Sequence, residues 1–367
     1  MSEPRKTLPG WRLAGEAGAA ARLGDCSALI PTCDRFPQVI RLLEGIAALP
    51  DQPAEVVIID GAAVGDLGVR LREWHQGQRP VFDLVYARSE RGLTRQRNAA
   101  VDLSAGEYLY FFDDDTVPQP GYFAEIRQVF ENDRARRIGL IGGLIVNEID
   151  RPIIPRWQWR LKLGLVPKDL PPGRYFDGAT TLPLGMMKPF RGVMPVDFVS
   201  GCSSAWRRDV FRTMRFSEYF VGYSQGEDLE ASLRAAREWQ VVLCGDARIL
   251  HLHAAGGRPV RFIRGKVDII NKYFIWKRHR PEVSLKNKML FWLDVPFQFV
   301  TDIGAWLKRP WDPSPLIRTA GLACGAVECI VSPPRFEDPP VRRQYELAAG
   351  DGARADDAEP VQARQGR

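Results

Sequence analysis

The chain has 367 residues, is 45% hydrophobic and 26% charged, and carries a formal net charge of +6. That excludes a disordered or low-complexity protein and allows one large domain with an appendage. The six scattered cysteines (26, 33, 202, 244, 324 and 329) form no CxxC pair, which excludes a zinc ribbon or a CxxC redox motif and fits a reducing, cytosolic compartment.

Residues 1–24 read as a flexible lead with no apolar segment of a secretory signal. Cys26 to Ile30 reads as a strand stopped by Pro31, and Val39 to Leu49 as a helix by its apolar spacing. Glu55 to Ile59 is a second strand ending in Asp60-Gly61; Leu67, Leu71 and Trp74 mark a second helix. Val81 to Tyr86 (strand) and Leu93 to Leu103 (helix) follow. Next comes GEYLYFFDDDTVPQPG, in which Tyr108 to Phe112 run straight into Asp113, Asp114 and Asp115. A helix from Tyr122 to Phe130 and a strand from Ile138 to Val146 complete the alternation. Such alternation builds a mostly parallel sheet from β-α-β units.

Residues 150–195, rich in proline with Trp157 and Trp159, read as a long, partly ordered loop. Regular structure resumes at Val196 to Val199, then in SGCSSAWRRDVF. Glu227 to Trp239 reads as a helix, and Val241 to Cys244 and Arg248 to Leu250 as two short strands leading into HLHAAGGR. Residues 258–336 are basic and aromatic at roughly helical spacing, and no uninterrupted apolar run reaches the length of a membrane span. Residues 337–367 read as a disordered tail.

The aspartate cluster is the chemical centre of the sequence. The apolar run is a buried strand, and ligands of open α/β sheets bind at the carboxyl ends of strands. Three adjacent carboxylates call for a cation or strong donors nearby. A divalent-metal and nucleotide site is one reading; an acidic turn capping the next helix is the other. No GxGxxG follows the first strand and no GxxxxGK[ST] occurs, so dinucleotide-binding and P-loop readings fall away.

In order, IPTCDR, VVIIDG, GLTRQRNAA, YFFDDD, GCSSAWRRDVF, GEDLEASLRAAREW and ILHLH resemble the motifs of the family 2 glycosyltransferases over about residues 25–255. Cys33-Asp34 stands in place of the usual Tyr-Asn, Gly61 in place of an acidic or amide residue, Glu230 in place of Asp and Trp239 in place of Gly. The resemblance implies a GT-A fold: an α/β, Rossmann-like, mostly parallel sheet flanked by helices over residues 25–257, with a C-terminal amphipathic helical extension. It implies an inverting, metal-dependent transferase using Mn²⁺ or Mg²⁺. Asp115 becomes the metal ligand and Asp113 the ribose contact, while Asp114 points away as a turn residue. Thr32 and Asp60 lie at the nucleobase. Arg97 and Asn98 serve the donor site or brace its loops. Asp228 is the general base, with Glu227 orienting acceptor or backbone. His251, with His253 on the same strand face, completes the metal shell or meets the diphosphate; a plain surface pair is the alternative. The Gly256-Gly257 loop is expected over the donor.

The expected reaction moves a sugar from a UDP- or dTDP-linked donor to a saccharide or lipid-linked acceptor in cell-surface polysaccharide or glycolipid assembly. The expected place is the cytoplasm or the inner face of the cell membrane. A nucleotidyltransferase and a non-catalytic binding domain are the rivals. Between Arg258 and Arg309 twelve Lys/Arg face four Asp/Glu. That segment is read as packing helices with a basic face or as a membrane-surface element; no nucleic-acid motif accompanies it.

Overall fold

The computed structural model describes residues 5–220, 225–254 and 260–348. In chain order the elements are β1 (Lys6–Leu8), β2 (Gly10–Leu13), β3 (Ala21–Thr32), α1 (Phe36–Ala47), β4 (Asp51–Asp60), α2 (Leu67–Gln78), β5 (Asp83–Arg88) and α3 (Leu93–Leu103). Then come β6 (Tyr108–Phe112), β7 (Thr116–Pro118), α4 (Tyr122–Asn132), β8 (Ile138–Ile145), α5 (Pro155–Lys162), β9 (Tyr175–Phe176), β10 (Thr180–Thr181) and β11 (Val193–Pro195). The chain continues with β12 (Ser203–Arg207), α6 (Glu227–Ala235), β13 (Gln240–His251), α7 (Arg261–His279), α8 (Leu285–Lys308), α9 (Ser314–Val331) and β14 (Tyr345–Leu347).

One sheet dominates, in the order β11-β13-β8-β12-β6-β3-β4-β5-β2, with β7 paired to β13. Strands β3, β4, β5, β6, β8 and β13 run one way; β2, β7, β11 and β12 run against them. Side chains of a strand alternate between faces, and β6 follows this rule. Tyr108, Tyr110 and Phe112 join the core under α1, α2 and α4, with Val39, Leu42, Leu71 and Phe123. Leu109 and Phe111 join the opposite core with Ala99, Ala100, Trp206 and Phe216. A strand buried on both faces has no polar side to show, which is why β6 is an unbroken apolar run. Each such side chain contributes about 1.5–3 kcal/mol of burial.

Four expectations change. The lead of residues 1–24 is not wholly flexible: β2 pairs antiparallel with β5, and Trp11 stacks on Tyr86 at 5.5 Å. Strands this short, separated by Pro9, leave no readable period. The tail is ordered as far as β14, which pairs parallel with β1; residues 349–367 lie outside the described ones. No regular element occupies Val196 to Val199; β11 lies just before it, at Val193–Pro195. The two short strands at 241–250 are one strand, β13, with an irregular register between Cys244 and Arg248.

The basic segment is helical. Gly265 of α7 and Gly321 of α9 let the two helices touch backbone to backbone: a Cβ on Gly321 would collide with the Phe262 carbonyl. Trp276 stacks on Phe291 of α8 at 4.4 Å, with Ile269, Val295 and Leu322 in the same cluster. Arg278 Nε reaches the fully buried Glu230 of α6 at 3.0 Å, so these helices are tied to the domain. By length and composition α9 is apolar enough to cross a membrane, although Arg318 within it pairs with Asp268 and Asp302.

Candidate active site

The carboxyl end of β6 delivers the three aspartates, and the neighbouring strands bring their partners. Antiparallel pairing of β7 with β13 sets His251 opposite Thr116, so the imidazole reaches Asp115: Nε2 lies 3.4 Å from Oδ1. The Ala254 amide donates to the other Asp115 oxygen at 2.8 Å. Pairing of β12 with β6 sets Ser203 opposite Phe112, which brings Cys202 beside Asp113. Ligand atoms of Asp113, Cys202 and His251 lie within 4.8 Å of one another, and those of Glu148, His251 and His253 form a second such group.

The electrostatics follow from these contacts. Burial works against the charge on Asp115, but His251, the Ala254 amide and Arg35 hold its carboxyl below the usual range. His251 is pushed up to about 10 by its bonds to Asp115 and then Glu148, so it stands as an imidazolium at neutral pH. Glu148 is held down chiefly by His251, whose Nδ1 lies 2.8 Å away. His253 Nε2 lies 2.9 Å from the same Glu148 oxygen. Carboxylate oxygens and an imidazole suit Mn²⁺, and the carboxylates alone suit Mg²⁺. The residues present therefore fit a divalent ion.

Asp114 is no simple turn residue. Its carboxylate accepts from Thr32 Oγ1 at 2.7 Å and from Arg35 Nη1 at 2.6 Å. Burial pushes it up to about 6, with Thr32 and Arg35 pulling back. It ties the end of β6 to the end of β3. Thr32 is spent on this link: it is 4% exposed, and its carbonyl accepts from Gln96 Nε2 at 2.6 Å and the Gly61 amide at 2.9 Å. Asp60 is fully buried; it accepts from the Asp34 and Ala62 amides at 3.2 and 2.9 Å and from the Tyr86 hydroxyl at 3.1 Å. In the structure these two side chains position the loops after β3 and β4, the strand ends where the nucleobase contacts are expected.

Arg97 links the halves of the site. It is 2% exposed, with Nη2 3.6 Å from Asp113 and Nη1 3.2 Å from Glu227. A Cβ on Gly201 would meet its guanidinium at 2.7 Å, so any side chain there would displace Arg97. Asn98 braces the following loop, exchanging hydrogen bonds with both Phe216 backbone groups at 2.9 and 3.0 Å. In the first turn of α6, Glu227 is buried and Asp228 faces a cavity of about 230 Å³ with Glu148, Ser200 and several apolar side chains. Burial pushes Glu227 up to about 8, Asp228 adds to this, and Arg97 opposes it. Glu227 thus keeps its proton at neutral pH. Asp228 accepts from the Gly201 amide at 3.2 Å and the Leu229 amide at 2.7 Å.

Residues 27–164 match the family described as glycosyl transferase family 2. The match covers under half of the chain, and over those residues it is to a family 2 glycosyltransferase domain. The chain has the GT-A fold. It is similar to a mannosyltransferase from Pyrobaculum calidifontis in complex with GDP-Man and Mn²⁺, at 14% identity over 90% of this chain and 91% of that one, TM-score 0.50. Weaker likenesses are to GalNAc-T7 with UDP, GalNAc and Mn²⁺ (17% identity, 71% of this chain and 52% of that one, TM-score 0.48) and to S. aureus TarS 1–349 with UDP (14%, 83% and 90%, 0.43). At such identities these likenesses speak for the fold alone. No curated protein matches the chain.

Within this site, sequence reasoning missed Glu148, Arg35 and Cys202. Glu148 follows the β8 strand without any local motif; only the pairing of β8 with β13 carries it to the histidines. Arg35 sits in IPTCDR itself and was readable as a partner for the aspartates. The Gly256-Gly257 loop lies outside the described residues.

Proposed function

We propose that this chain is an inverting, metal-dependent glycosyltransferase that moves a sugar from a UDP- or dTDP-linked donor to a hydroxyl acceptor. The observation that carries the reading is the pairing of a metal-competent group, Asp113, Cys202 and His251 with Asp115 beside the imidazole, with a separate carboxylate, Asp228, joined to it through Arg97 and Gly201. A divalent ion bound there supplies Lewis-acid stabilisation of the departing diphosphate. Asp113 meets the ribose. Asp228 takes the proton of the attacking hydroxyl, and one base with direct displacement gives inversion. Arg97 fixes Asp113 and neutralises part of the carboxylate cluster, while Glu227 orients the turn that carries the base. The setting we infer is cell-surface polysaccharide or glycolipid assembly at the cytoplasmic face of the membrane.

A panel of nucleotide sugars with Mn²⁺, read by thermal shift, tests the donor. One UDP- or dTDP-sugar is expected to raise the melting temperature, since a ligand of the native state stabilises it by mass action. Turnover should release nucleoside diphosphate; release of pyrophosphate instead would identify a nucleotidyltransferase.

The membrane reading rests on α8 and α9, where Leu285, Met289, Leu293, Val300, Leu307 and Val331 are exposed beside a basic segment. Anionic vesicles are expected to float the full chain, and Leu293→Glu with Val300→Glu to leave it unbound. Equal flotation of both proteins would remove this surface from consideration. Deleting the helices is a poorer test, because it strips Glu230 of Arg278.

A further inference from the structure

A second cavity, of about 410 Å³, lies between α5, β9, β10 and the three C-terminal helices. Gly226 and Leu229 line it, while Asp228 lines the smaller one, so the two cavities flank the first turn of α6. Its walls carry five cations, Arg156, Arg160, Arg264, Lys272 and Arg318, against the carboxylates of Asp268 and Asp294. Asp294 is shared: Arg160 Nε and Lys272 Nζ each approach it at 2.7 Å. Arg318 is satisfied by Asp268 and by Asp302. That leaves two cations over. Among the described residues Arg156 donates only to the neutral Gln298, at 2.7 Å, and its buried Nε has no partner. Arg264 has no carboxylate partner among the described residues. Tyr175, 6% exposed, also lines the cavity, and its hydroxyl is buried without a hydrogen bond among the described residues.

Unpaired buried donors beside surplus positive charge cost stability unless a ligand completes them. The strain is visible in Arg156, pushed down to about 10 by burial and by the charges of Arg160 and Arg318. An anion rich in acceptor oxygens answers all of these groups, and guanidinium forks suit phosphate oxygens. We propose that this cavity binds a phosphate or diphosphate group carried by the acceptor, held by Arg156, Arg264 and the Tyr175 hydroxyl across the α6 turn from Asp228. The proposal rests on reading Asp228 as the acceptor end of a glycosyltransferase. The exposed Ile153, Ile154 and Trp159 beside the cavity offer an apolar path for a chain attached to that phosphate.

The test uses the full chain freed of metal with EDTA, so that pyrophosphate has no ion to join at the aspartates. Calorimetry with inorganic pyrophosphate is expected to show saturable binding that weakens with salt. Arg156→Gln and Arg264→Gln should each lower that affinity about tenfold, the scale of one charged hydrogen bond. Tyr175→Phe, which removes only an unpaired hydroxyl and leaves the packing intact, should weaken it without lowering the melting temperature. Equal pyrophosphate affinity in the wild type and the two Arg variants would overturn the proposal. Mn²⁺-dependent nucleotide binding is measured in parallel: its absence in every protein defeats the glycosyltransferase reading, while its persistence with no pyrophosphate binding defeats only the cavity. Vesicles separate the sources. Displacement of pyrophosphate by phosphatidylcholine vesicles containing phosphatidate, but not by phosphatidylcholine alone, assigns the group to a lipid. Failure of both assigns it to a soluble phosphate.

Discussion

Asp228→Asn is expected to lower turnover by about 10²- to 10⁴-fold, the usual contribution of a positioned general base, with donor affinity unchanged. The amide is isosteric and keeps one oxygen for the Gly201 or Leu229 amide that the carboxylate now accepts from. It loses the ability to take a proton. Donor affinity should hold because the metal-competent group is built at the ends of β6 and β13, whereas Asp228 stands on α6 and is joined to that group through Gly201 and Arg97. Glu227→Gln is the control. Glu227 keeps its proton up to about pH 8, so the amide reproduces its neutral form and its contact with Arg97. Turnover of Glu227→Gln at neutral pH should stay well above that of Asp228→Asn. Steady-state kinetics at saturating donor and acceptor, with donor binding measured by calorimetry, decides the matter. Near-wild-type turnover by Asp228→Asn would move the base elsewhere; a loss confined to Glu227→Gln would exchange the two roles.

Much of this arrangement is legible in the chain itself. The β6 run and the α3 helix begin and end where their apolar patterns and flanking turn residues place them, because β6 lies within the central sheet and α3 packs against it. The aspartates, His251 and Asp228 stand out because each closes or opens a regular element. The unread parts depend on contacts between segments distant in sequence. Glu148 reaches the histidines about a hundred residues away only through strand pairing. Thr32 and Asp60 look like ligand groups at strand ends, yet their hydrogen bonds are consumed internally, and burial of that kind has no signature in the residues themselves. β1 and β14 are three residues each and join opposite ends of the chain, so neither holds a period that could announce it.

The imidazolium of His251 makes the second large effect a matter of pH. With its pKa pushed to about 10 by Asp115 and Glu148, His251 must release a proton before its Nε2 can face a metal. Metal binding and proton release are then linked, and Mn²⁺ affinity should rise about tenfold per pH unit below that value if one proton leaves. The sign is fixed: acid favours the imidazolium, which competes with the ion, and base removes the competitor. His251→Gln should flatten the slope, because the side chain no longer titrates. It should also cost Mn²⁺ more affinity than Mg²⁺, since imidazole nitrogen is a ligand Mn²⁺ accepts and Mg²⁺ avoids. Asp115→Ala should abolish metal-dependent donor binding at every pH, because it removes the carboxylate and leaves the imidazolium without its main partner. Calorimetry of Mn²⁺ and Mg²⁺ binding across neutral to mildly alkaline pH, run in two buffers of different ionisation enthalpy, reads the proton count directly. A slope that survives in His251→Gln would assign the proton to another group and leave His251 outside the metal shell, bridging Glu148 and Asp115 as a fixed cation.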